Sequence, residues 1–136
     1  MARKKRSTPA SRIVAITGEG NPLSKDQQEQ WLARGLDLIR AGEFFAAHEE
    51  LELAWRAAPE GERDFYQGLV HVAVAWYQAG RGNRVGCDRQ LEKAAQRLAL
   101  YAPSHRDVDI AAILEQVRAA RTVVAAGSLA LEPPRL

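Results

Sequence analysis

The chain has 136 residues, 46% of them hydrophobic and 26% charged. This balance predicts one soluble globular domain with room for a single core. No stretch carries an apolar run of about 18 residues, so no membrane span is expected, and the basic N-terminus lacks the apolar segment of a secretory leader. The lone cysteine, Cys87, excludes an internal disulfide and points to a reducing cytoplasm.

Charge is unevenly spread. Arg3, Lys4, Lys5, Arg6 and Arg12 lie in a stretch with no acid, so the formal net charge of +2 leaves −3 on everything after residue 12. A body of that sign is a poor nucleic-acid binder, and only the basic segment would touch RNA or DNA. Residues 1–22 mix Lys, Arg, Ser, Thr, Pro and Gly, and only Ile13–Ile16 suggests local order. They are expected to form a flexible basic tail.

Helical signals follow. Ser24 with Gln27 reads as a capping box for a first helix that runs to about Ala41, with Trp31, Leu32, Gly35, Leu36 and Ile39 inward and Gly42 as its stop. The second helix spans about Glu43 to Ala58 and ends at Pro59 and Gly61. The third, about Glu62 to Ala79, is apolar nearly all round, as expected for a central helix. Gly80-Arg-Gly82 breaks it. Asn83 then caps a fourth helix to about Leu100, with Cys87, Leu91, Ala94 and Leu98 as its stripe. A fifth helix starts at Ser104 or Asp107 and runs to about Ala126. Residues 128–136, with Pro133 and Pro134, read as an extended tail.

No segment alternates as a strand would, so the fold expected for residues 23–127 is an all-α compact bundle of about five helices. A faint internal echo supports its plan. At a spacing of forty, Gly42 aligns with Gly82, Ala47 with Cys87, Leu51-Glu52 with Leu91-Glu92, and Ala54 with Ala94. Two antiparallel helical hairpins, distantly tetratricopeptide-like, are the expectation.

Chemistry concentrates on the second helix. At about 100° per residue, His48, Leu51, Trp55 and Phe44 share a face and Glu52 lies beside them, while Glu49 and Glu50 point to solvent. On the third helix Gln67, His71, Val74 and Gln78 form a polar stripe on an apolar rod. A hairpin would bring the two faces together. The candidate ligand site or polar network is therefore His48, Glu52, Trp55, Gln67 and His71, with the Tyr77 hydroxyl either joining it or lying at the surface.

Three roles compete for these residues. The leading one is a hydrogen-bonded network that fixes the hairpin. The second is a metal centre, with His48, Glu52 and His71 as a three-ligand set for zinc or another divalent ion. The third is an acid–base pair, with His48 and Glu52 as the catalytic candidates. His48-Glu-Glu-Leu-Glu52 is like the zincin His-Glu-x-x-His, but Glu52 stands where the second His belongs, which argues against a metalloprotease. Cys87 sits on an apolar stripe and is expected to be inert. Trp31, Trp55 and Trp76 read as core anchors. His105 and the turn arginines Arg81 and Arg84 read as exposed.

The run Gly42-Glu-Phe-Phe-Ala-Ala-His-Glu-Glu-Leu-Glu-Leu-Ala-Trp55, then Phe65-Tyr-Gln-Gly-Leu-Val-His-Val-Ala-Val-Ala-Trp-Tyr77, then Gly82-Asn83, resembles the domain-of-unknown-function family numbered three hundred and nine. The resemblance covers about residues 30–101. It implies a small helical bundle and marks Phe45, Ala47, His48, Glu49, Leu51, Glu52 and Trp55 on one helix and Gln67, Gly68 and Leu69 on the next. In that family the His71 position is often Gln, and Gln78 stands where His is frequent, which weakens the metal set. The resemblance implies no reaction. The function expected is thus a non-catalytic module that binds a protein or a small molecule, with no cofactor predicted. A metal-dependent or acid–base hydrolase is the alternative, and the apolar third helix leaves a homo-oligomer open.

Overall fold

The computed structural model describes residues 22–136. The basic tail and the Ile13–Ile16 run lie outside the described residues. Among the described residues five α-helices carry the fold: α1 Pro22–Arg40, α2 Phe44–Ala57, α3 Arg63–Gly80, α4 Arg84–Leu98 and α5 Ile110–Ala125. Short 3-10 turns at Glu60–Glu62 and Ala99–Tyr101 lie between them, and Ser104–His105 (β1) pairs antiparallel with Val108–Asp109 (β2). The chain is an all-α bundle in which each helix packs on the next.

The forty-residue echo has a geometric basis. The α1–α2 and α3–α4 connections are both three residues long and turn at a glycine with positive φ, +79° at Gly42 and +77° at Gly82. Each glycine N–H reaches back to the carbonyl three residues before it, and the following N–H reaches five back. This is the Schellman pattern, which needs a residue that tolerates the left-handed region. The helices α2 and α4 then start at equivalent positions, and Ala47 and Cys87, Leu51 and Leu91, and Ala54 and Ala94 are all fully buried.

Helix α3 is the middle of the core. Phe65, Tyr66, Leu69, Val72, Ala73 and Ala75 lose essentially all contact with solvent between α2 and α4. Each large apolar side chain buried in this way contributes about 1.5–3 kcal/mol. Two glycines let helices approach closely: Gly35 faces Leu51, and Gly68 faces Leu98. Buried Gln28 ties α1 to α2 through a hydrogen bond from its Nε2 to the Ala54 carbonyl.

Several expectations are corrected. Ser24 lies inside α1, which begins at Pro22, earlier than the capping-box reading places its start. Helix α5 begins later than expected, because its cap is Asp109, whose Oδ1 accepts from the Ala112 N–H at 3.0 Å. The residues before it form the β1–β2 hairpin, turning through Arg106 and Asp107 at φ +50° and +62°. Two consecutive left-handed residues match the twist of a tight hairpin. His105 is half-buried, not exposed: its Nε2 donates to Glu62 Oε1 at 2.9 Å, and its ring meets Phe65 edge-on. Arg106 Nε donates to the same oxygen at 2.7 Å.

Glu50 is half-buried against Arg34, at 3.4 Å, because α1 as well as α3 packs on α2. Arg84 is exposed, as expected, and its Nε donates to the Val124 carbonyl at 3.0 Å. The segment after α5 has no regular secondary structure and folds back on the bundle. Trp76 Nε1 donates to the Glu132 carbonyl at 2.9 Å, and Gln116 holds the Arg135 backbone through two hydrogen bonds of 2.6 and 2.7 Å.

Two predictions follow from this packing. A Cβ on Gly35 would sit 2.5 Å from Leu51 Cγ. Overpacking there outweighs the helix-forming advantage of alanine, so Gly35→Ala should destabilise the domain by roughly 1–2 kcal/mol. Gly61→Ala, with open space around it, should not. Urea unfolding midpoints compare the two.

The second concerns acid. Burial would raise the Glu62 carboxyl, but hydrogen bonds from Arg106 and His105, with their charges, hold it below the usual glutamate range. A carboxylate with a lowered folded-state pKa stabilises above its unfolded value of about 4.3 and loses that contribution as pH falls through the folded value. Unfolding midpoints of the parent should therefore drop steeply below about pH 4.3, and those of Glu62→Gln should drop less. Parallel curves would show that the hairpin latch contributes nothing.

Candidate functional site

Helical spacing gathers one set of polar side chains at the α2–α3–α4 junction. His48, Glu52 and Trp55 recur at i, i+4 and i+7 on α2, and Gln67, Val70, His71 and Val74 recur at i, i+3, i+4 and i+7 on α3. These positions fall on one face of each helix. Together with Gln90 of α4 they line a cleft of about 250 Å³.

Both cleft histidines are anchored at Nδ1. His48 Nδ1 lies 3.0 Å from the Phe45 carbonyl, which can only accept, so Nδ1 carries the proton. His71 Nδ1 lies 2.7 Å from Gln90 Oε1 and donates to it. In the neutral ring each Nε2 then presents a lone pair. His48 Nε2 stands 3.6 Å from Glu52 Oε2, and the other Glu52 oxygen faces Arg56 Nη2 at 3.5 Å. His71 Nε2 is buried and has no hydrogen-bond partner. Burial holds the His71 ring below the usual histidine range. The bond to Gln90 opposes that effect, while Arg97 and Lys93 on α4 add to it.

The walls are mixed. Val70 and Val74 supply apolar surface, and Trp55 adds an indole whose ring carries the Arg63 guanidinium 4.8 Å from its centroid. Among the described residues Glu52 is the only carboxylate of the lining, and no lysine or arginine belongs to it.

Five of the six expected network residues, His48, Glu52, Trp55, Gln67 and His71, line this one cleft. Tyr77 does not. Its ring packs on Phe45 at 5.3 Å, and its hydroxyl accepts from Arg81 Nη1 at 3.2 Å. It reaches the site only through Phe45, whose ring is 5.0 Å from that of His48. Gln90 was not anticipated from the sequence. Its one signal is position: it lies three residues after Cys87 and next to Leu91, at the edge of the α4 apolar stripe.

Among the described residues, no group of three or more His, Cys, Asp or Glu side chains stands close enough together to hold a metal ion. Cys87 is fully buried, and its thiol is pushed up by burial and by Asp88. A second concavity, of about 410 Å³, lies between α4 and the end of α5. Its Arg84 is engaged with a carbonyl, and its Asp88 faces Arg121 at 3.3 Å. Among the described residues no helix is long and apolar enough to cross a membrane.

No curated protein and no solved structure matches the chain. Residues 32–90, the stretch that holds the α2–α3 face and Gln90, match the model of the family described as Domain of unknown function (DUF309), the same family that the helical motif resembles.

Proposed function

We propose that the protein is a ligand-binding helical module whose site is the cleft between α2, α3 and α4. The observation that carries this reading is His71, which lines that cleft and whose buried Nε2 has no hydrogen-bond partner. An unsatisfied buried polar group costs about 1–3 kcal/mol. A ligand N–H or O–H placed against it recovers that cost, and the Gln90 bond holds the ring in the tautomer that can accept. Gln67 adds an amide that both donates and accepts. We infer a cytoplasmic location, a reading that the single, buried thiol supports.

An acid–base enzyme is the second reading, favoured by the same lone pair, since a neutral imidazole is a competent base. The two readings separate on whether a bound compound is turned over.

The test is a screen of small polar fragments against isotope-labelled protein, followed by NMR. Binders should shift amides on the facing sides of α2, α3 and α4, and His71→Leu should abolish those shifts. The double variant His71→Leu/Gln90→Leu should fold at least as stably as the parent, because it removes the orphan acceptor and both partners of the bond, while Gln90→Leu alone should be less stable because it strips the partner from Nδ1. A folded protein whose binders all map elsewhere would refute the proposal.

Acidity gives an independent check. The groups facing His71 are Glu52 and His48 from α2 and Lys93 and Arg97 from α4. With its folded-state value lowered, His71 binds a proton more readily in the unfolded chain. Its contribution is complete above about pH 6.5 and declines as pH falls through the interval to the lowered value. Thermal melts of the parent should weaken over that interval, and those of His71→Leu should weaken less.

A further inference from the structure

We propose that the surface holding residues 128–136 is a docking groove for an extended, proline-containing segment of a partner protein. The chain's own segment occupies the groove in cis and displays the chemistry that the partner must carry.

How the segment is held gives the first argument. Pro133 and Pro134 have no N–H, and Glu132 before them is restricted to extended backbone. Such a stretch cannot complete a strand ladder, so its carbonyls need donors from side chains. Three helices supply them. Trp76 Nε1 of α3 donates to the Glu132 carbonyl at 2.9 Å, Gln116 Nε2 of α5 to the Arg135 carbonyl at 2.6 Å, and Arg40 Nε of α1 to the Leu136 backbone oxygen at 3.3 Å. Gln116 Oε1 also accepts from the Arg135 N–H at 2.7 Å, so its amide pairs with both polar groups of one residue, as a neighbouring strand would.

All of these bonds go to main chain. The side chains of Glu132 and Arg135 face solvent and pair with each other at 3.4 Å. Side-chain identity enters at the inward positions: Pro134 is buried, and Leu129, Leu131 and Leu136 pack half-buried against the core. A readout of that kind admits other sequences with aliphatic residues at these positions around a Pro-Pro pair.

The segment is also separable from the body. Helix α5 closes before it, because the N–H groups of Ala126, Gly127 and Ser128 return to the Thr122, Val124 and Val123 carbonyls, with Gly127 at φ +95°. Among the described residues the buried apolar core runs from Leu32 to Val124 and ends before the segment. Withdrawal of residues 129–136 therefore leaves the helices capped and uncovers Trp76, Gln116 and Arg40. Trp and Arg are the side chains most enriched among binding hot spots. The groove is separate from the cleft, since Trp76 lies about 160° round α3 from Val74. A second copy of the chain fits it poorly: Ser128 to Glu132 reaches at most about 14 Å, so two copies would have to abut at their α5 ends.

The experiment uses the full chain, ¹⁵N NMR and an end-capped synthetic peptide of residues 128–136. In the parent, the Arg135 amide should exchange with deuterium roughly a hundredfold faster than buried α3 amides, because the segment opens on its own. The variant Leu131→Asp/Pro134→Asp/Leu136→Asp keeps the chain length and should release the segment, read as a shift of the Trp76 indole N–H signal. Added peptide should return that signal to its parent position. It should bind this variant about tenfold or more tightly than the parent, whose own segment competes at an effective concentration of about millimolar. Adding Gln116→Leu to the variant should weaken the peptide by a similar factor. Exchange of Arg135 in step with α3, a released variant that unfolds, or one that ignores the peptide would each overturn the proposal and make the segment a structural strut. Concentration-dependent dimers of the parent would overturn it too, by making a second copy the occupant.

Discussion

Helix α3 carries more apolar surface than one neighbour can cover. With Phe65, Leu69, Val72 and Ala73 fully buried, it needs α2 on one flank and α4 on the other. That requirement sets the order of the bundle. It also leaves a seam wherever the α3 surface is polar, because a polar stripe on a covered helix must find partners or solvent. His71 lies on that seam. One of its nitrogens is satisfied by Gln90 and the other is left bare, so the site is a consequence of how the central helix is clad.

The turns make this cladding possible. Gly42 and Gly82 reverse the chain in the left-handed region at equivalent points, so α2 and α4 leave their turns in the same phase and present matched small and large residues to their hairpin partners. The close approach of α1 to α2 at Gly35 and of α3 to α4 at Gly68 follows from the same economy of side-chain volume. A second polar assembly, Glu62 with His105 and Arg106, latches the β1–β2 hairpin over the start of α3. It is distinct from the cleft in kind: Glu62 Oε1 accepts from two donors, whereas His71 Nε2 at the cleft has none. Beside it, Tyr66 is buried without a partner for its hydroxyl, and burial pushes the phenol up to about 12.

Much of the candidate site was legible before any fold was known. His48, Glu52 and Trp55 keep helical register on α2, as Gln67 and His71 do on α3, and a register of that kind is a local property. Phasing had less to say about Tyr77, which lies six residues after His71 and so turns well away from its face. It had nothing to say about Gln90, because which α4 residue meets His71 depends on the rotation of α4 about its own axis. Glu50 was misjudged for a related reason: the face of α2 opposite His48 is also covered, by α1, and there the acid meets Arg34.

The helical class, the two glycine turns and the face on which His48 and Glu52 lie are local properties, since each depends on residues within a turn or two of one another, and the echo between hairpins repeats such a local pattern forty residues on. Tertiary structure alone decided the rest. The His71–Gln90 bond spans 19 residues and the Glu62–His105 bond 43. The docking of the C-terminal segment joins Trp76 to Glu132 across 56. Such contacts depend on helix rotation and loop closure rather than on periodicity. That is why a polar stripe could be read from the chain, while the bare nitrogen that gives the cleft its chemistry could not.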